Sequence, residues 1–117
     1  MEYLPTFENY SNAIIATVMT NGNDFIVTGL GGKQISRRSI SYGEILLGFS
    51  TDVIVTKRGD QIFSFTPEFN RISAMTLSSG TEFRGVIGPN ILVFNKSANM
   101  LITYDVNFRR LASHSVI

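Results

Sequence analysis

The chain has 117 residues, 44% of them apolar, with a formal net charge of +1 and no cysteine. That length suits one domain, and the near-neutral charge gives no electrostatic basis for gripping nucleic acid or a membrane surface. Disulfides, thiolate zinc sites and cysteine nucleophiles are excluded.

No apolar run approaches the roughly 18–20 residues of a membrane span. The start, Met1-Glu2-Tyr3-Leu4-Pro5, lacks the basic and apolar regions of a secretion signal. The expectation is a soluble chain of a reducing, cytoplasmic compartment.

In chain order, residues 3–9 loosely match the first half of the later segment 44–55, and Asn12-Ala13-Ile14-Ile15 matches its second half. Residues 24–40, DFIVTGLGGKQISRRSI, then read as two alternating strands across a glycine-rich turn. Residues 44–55 supply two more strands. Residues 60–77, DQIFSFTPEFNRISAMTL, repeat the earlier hairpin, and residues 82–93 followed by 99–116 repeat the whole unit. Phe25, Ile62 and Leu101 each begin an alternating strand, and ten residues later Ile35, Ile72 and Leu111 each begin another.

The offsets between these hairpins are 37 and then 39 residues, and the stretch from Glu44 to Val55 aligns with that from Glu82 to Val93 at a shift of 38. Turn signals stand at Gly22-Asn23, Lys57-Arg58-Gly59, Gly88-Pro89 and Ser97-Ala98. No segment has helical period. The chain reads as one all-β domain of three four-stranded antiparallel repeats, over residues 3–40, 41–77 and 78–117.

A unit of this length and strand number, as in EFRGVIGPNILVFNKSANMLITYDVNFRRLASHSV (82–116), resembles a blade of the β-propeller family. The resemblance is one of pattern over nearly the whole chain, without the Trp-Asp or Gly-His marks of WD40 repeats or the kelch signature. The β-trefoil is the alternative, since it too has three four-stranded units. The phase, in which each unit leads with an extra strand and ends after its hairpin, suits blades. The resemblance implies that three blades leave strands 3–9 and 109–116 open at the two ends. A second copy or another protein would then complete the ring.

Few residues invite chemistry. His114 is the single histidine, at a position filled by Met75 and Arg38 in the other repeats, so neither a catalytic triad nor a histidine metal site is expected. Gly29-Leu30-Gly31-Gly32-Lys33 lacks phosphate-loop spacing and leads into a strand, which makes it a turn. Glu44 and Glu82 are the acidic pair of interest. The blade resemblance puts both at the start of an innermost strand, facing the central channel, where a cation, basic groups or acid–base chemistry would find them. Lys33, Arg37, Arg38, Arg71, Arg109 and Arg110 form a candidate basic rim, suited to contacting phosphate or an acidic partner, or more simply to protecting edge strands. Phe63, Phe65, Phe69, Tyr104 and Phe108 are expected as core and turn plugs.

The expected function is therefore a non-catalytic protein–protein interaction or assembly module with no cofactor, acting through strand edges and closing by self-association or with a protein partner. A lectin-like ligand-binding module is the alternative. It is disfavoured by the absence of Trp and by loops that diverge between repeats.

Overall fold

The structure, a computed structural model, describes residues 13–116. The predicted strand 3–9 lies outside the described residues. Three separate antiparallel sheets follow one another along the chain. The first holds β1 (Ile15–Asn21), β2 (Asp24–Gly29) and β3 (Gln34–Ser39). The second holds β4 (Glu44–Phe49), β5 (Ile54–Arg58), β6 (Gln61–Phe65) and β7 (Arg71–Thr76). The third holds β8 (Thr81–Ile87), β9 (Asn90–Asn95), β10 (Met100–Tyr104) and β11 (Arg110–Ser115). Each sheet is a meander, and among the described residues strands pair only within their own repeat. A trefoil would close strands of different repeats into one barrel, so that alternative is set aside. Among the described residues, no helix is long and apolar enough to cross a membrane.

The sheets stack face to face, as blades do. Val18, Phe25 and Val27 of the first sheet pack on Ile54, Phe63, Phe65 and Phe69 of the second. The opposite face of the second sheet, with Val55 and Ile62, packs on Phe83, Ile91, Tyr104 and Phe108 of the third. The middle sheet is covered on both sides. That is why Ile54-Val55-Thr56 and Ile62-Phe63-Ser64-Phe65 are buried without interruption and lose the alternation of a one-sided strand. The first strands β4 and β8 approach each other, and β1 approaches β4, so the repeats fan out from that side. The described chain measures 49 × 38 × 22 Å with a radius of gyration of 15.3 Å. A compact domain of about 100 residues would have about 13 Å. The molecule is an open arc.

Turn chemistry is shared by the repeats. The β1–β2 and β5–β6 hairpins, at Gly22-Asn23 and Gly59-Asp60, each place a glycine with φ of 62° and 64° first of two loop residues, the type II′ arrangement that matches strand twist. The corresponding β9–β10 turn is longer, and the Gly88-Pro89 turn, with Gly88 at φ 55°, joins β8 to β9 instead. Lys57 and Arg58, expected in a turn, instead finish β5. The next turn of each repeat contains a left-handed residue at an equivalent place: Gly32, Phe69 and Phe108, with φ of 82°, 66° and 59°.

A phenylalanine tolerates this conformation because its ring fills the blade interface. Phe69 is buried, its centroid 5.5 Å from Phe25 and 4.8 Å from Phe65. Backbone bonds from Phe69 N to Thr66 O, 2.8 Å, and from Phe108 N to Asp105 O, 2.9 Å, tie the two turns. Phe69→Ala is expected to lose about 3 kcal/mol in denaturant unfolding. Phe69→Gly should lose slightly less than Ala, because glycine relieves the backbone. A larger loss for Gly would contradict this account of the turn.

Pairing also sets the register between repeats. A bulge sits between Leu46 and Gly48 in β4 and between Phe83 and Gly85 in β8. The structural offset is therefore 37, and Glu44 corresponds to Thr81, while Glu82 corresponds to Ile45. The two residues extra in the β9–β10 turn account for the longer offset of the following hairpin. In the first repeat, the shared Gly22 turn puts Thr17-Val18 at the place of Ile54-Val55. The expected match to Asn12-Ala13-Ile14-Ile15 is corrected accordingly, and Asn12 lies outside the described residues.

Candidate functional site

The carboxylates Glu44 and Glu82 are not brought together. A one-residue slip in a strand turns a side chain to the other face, and the two glutamates differ by that slip. Glu82 is 41% exposed and binds Arg84 at 2.8 Å and Lys96 at 3.7 Å. The side chain of Glu44 is 4% exposed and meets Arg38 at 2.7 Å across the junction of the first two blades. It also accepts bonds from Thr56 Oγ1 at 2.6 Å and from the Ser41 backbone N–H at 3.0 Å. Burial alone would raise its pKa. The bonds from Arg38, Thr56 and Ser41 and the Arg38 charge outweigh that, holding the carboxyl below its ordinary value of 4.5.

Arg38 is held equally closely. Its guanidinium carbon lies 4.4 Å from the Phe69 ring, 5.0 Å from Phe65 and 5.6 Å from Phe25. Arg58 and Arg71 flank the far side of the same pocket, 5.4 and 5.5 Å from the Phe63 ring. A cleft of about 120 Å³ opens among these three arginines, Ser41, Glu44, Phe63 and Phe65. Of the predicted basic rim, only Arg38 and Arg71 converge here. Arg37 pairs with Asp24 at 2.7 Å on the first sheet. Lys33 lines a shallow groove with Ile14, Leu30 and Ile35. Arg109 and Arg110 are exposed at the start of β11. Arg58 was missed because it was assigned to a turn. Its position opposite Glu44 in the β4–β5 ladder would have found it.

A second surface follows from the repeat itself. On the middle sheet, Val55, Ile62 and Ser64 are 0% exposed beneath the third sheet. Their counterparts on the third sheet are Leu92, Leu101 and Thr103, which share one face with Phe94, Ala112 and His114. This face points away from the middle sheet and is only half-buried, with His114 exposed. Arg84 lies over Phe94 at 4.5 Å. Among the described residues β11, the predicted edge at 109–116, is bonded only to β10.

At the other end, the free face of the first sheet carries Thr17, Met19, Asn21, Asp24, Ile26 and Thr28. The middle sheet has Ile54, Thr56, Arg58, Gln61, Phe63 and Phe65 at the same positions. One end of the arc presents Leu92, Phe94, Leu101 and Ala112 beside Thr103, His114 and Glu82, and the other is largely polar.

No family model and no curated protein matches the chain. Among solved structures it is similar to BamB from Moraxella catarrhalis, with 11% identity and a TM-score of 0.48, over 92% of this chain and 38% of that one. It is also similar to Hsv2 of Kluyveromyces lactis, with 12% identity and a TM-score of 0.30, over 86% of this chain and 51% of that one. The chain thus spans about two-fifths and one-half of these two proteins. The blade architecture itself rests on strand order and face-to-face packing: the chain is an all-β arc of blade-like sheets.

Proposed function

We propose that the chain is a non-catalytic assembly module in which the free face of the third sheet docks the first sheet of a second copy, so that two arcs close a ring. The observation behind this reading is the pair of equivalent faces. Val55, Ile62 and Ser64 are fully covered by a following blade, whereas Leu92, Leu101 and Thr103 repeat them without one. Ser64 Oγ donates to Val106 O at 2.6 Å in the next blade. In the ring, the Thr103 hydroxyl would donate to the corresponding carbonyl, that of Leu30 in the second copy.

The match is weaker than the internal ones. Thr17 and Thr28 replace Ile54 and Phe65 on the receiving face, and Gly32 replaces the phenyl plug. Association should therefore be reversible, with a dissociation constant in roughly the micromolar range. Introducing a charge by Leu101→Arg tests the face. The variant should keep its β circular dichroism and elute as a monomer at concentrations where the unchanged chain is a dimer. Equal elution of both as dimers would remove the third sheet from the interface.

A further inference from the structure

The cleft between the first two blades has a charge imbalance that the fold does not use. Its lining holds the guanidiniums of Arg38, Arg58 and Arg71 against one carboxylate, Glu44. Glu44 is already spent on Arg38, Thr56 and Ser41 N–H. Among the described residues no carboxylate stands within ion-pair distance of Arg58 or Arg71. Two positive charges are thus left, among the described residues, facing one small space.

These cations are also held in place. Arg58 comes from the end of β5 and Arg71 from the start of β7, and both lie within 5.5 Å of the same Phe63 ring. The ring is 5% exposed and fixed in the blade core. Fixing side chains before a ligand arrives lowers the entropy lost on binding. Arg38 keeps a donor in reserve, since its buried Nε–H has no partner among the described residues while its other nitrogens serve Glu44 and Ser39 O. Unmet buried donors are uncommon in folded proteins.

We infer that this cleft binds a phosphoryl dianion, inorganic phosphate or a small phosphate monoester, between Arg58 and Arg71, with Arg38 completing the positive wall. Planar guanidinium forks suit the oxygens of phosphate, and a double negative charge neutralises the excess of two. A cleft of about 120 Å³ accommodates the phosphoryl group and leaves the remainder of an ester in solvent. Association in roughly the millimolar range is expected for so small an ion at a partly exposed site.

Titration calorimetry with inorganic phosphate and with phosphoserine, at constant ionic strength in chloride, tests the proposal. Saturable binding is expected, weakened about tenfold or more by Arg58→Gln or Arg71→Gln alone and lost in the double variant. Both residues are exposed, so the variants should retain the wild-type melting curve in chloride. Phosphoserine binding at least as tightly as phosphate would identify a monoester site, and phosphate alone would identify a free-ion site. Absence of binding, or equal binding by the double variant, overturns the proposal. The second outcome would place the bound phosphate at another site.

Discussion

Ile62→Ala is expected to destabilise the chain by about 3–4 kcal/mol, whereas Leu101→Ala, at the equivalent position of the last blade, should cost under about 1 kcal/mol in dilute solution. Ile62 is 0% exposed between the second and third sheets. Its removal leaves a cavity that close-packed neighbours do not fill. Leu101 occupies the same place in its own sheet but remains half-buried. Water already reaches it, so truncation removes less transfer energy and leaves no enclosed void. Urea unfolding of both variants, at a concentration where the chain is monomeric, checks the contrast. At concentrations that favour the dimer, the cost of Leu101→Ala should rise as association is lost. Equal costs in dilute solution would show that the face of the third sheet is already covered.

Glu44→Ala should cost about 3 kcal/mol and lower the melting temperature by roughly 10–15 °C. The substitution leaves the Arg38 guanidinium among Phe25, Phe65 and Phe69 without its counter-charge, and Thr56, 0% exposed, without its acceptor. Arg38 retains 27% exposure, so water offsets part of the loss and the lower end of the range applies.

The same pair makes the fold acid-labile. The folded carboxyl lies below its ordinary value of 4.5, so the unfolded chain takes up the proton first. The stabilisation is therefore complete above about pH 4.5 and drains away as pH falls through the folded value. Glu44→Gln should be less stable at pH 7 and show a flatter decline of melting temperature between pH 5 and about pH 3. A parallel decline in both proteins would remove Glu44 from the acid response.

Much of the fold was legible because hairpins are local. The spacing from Phe25 to Ile35, from Ile62 to Ile72 and from Leu101 to Leu111 reports pairs of adjacent strands, and the glycine turns report where they reverse. The placement of Phe69 and Phe108 as plugs was legible for the same reason: each stands in the tight turn of its hairpin.

The relation between Glu44 and Glu82 was not legible. The longer β9–β10 turn changes the offset within one repeat, from 37 before it to 39 after it, while the bulges recur in both repeats and cancel. An average of 38 then pairs two glutamates that the sheets turn to opposite faces. The Arg38–Glu44 contact was hidden differently, although only six residues separate the two. It crosses from the last strand of one blade to the first strand of the next, and no periodicity within a blade encodes that crossing. The convergence of Arg38, Arg58 and Arg71 comes from three strands, β3, β5 and β7, and needs the stacking of two sheets to exist.

The central claim is that the arc closes on a second copy through the free face of its third sheet. Light scattering over a concentration series tests it most directly. The account predicts a mass rising from 13.0 kDa towards twice that value as concentration passes through the micromolar range, with no larger species because the ring is closed. A mass fixed at 13.0 kDa up to hundreds of micromolar (well above the expected dissociation constant) would contradict it.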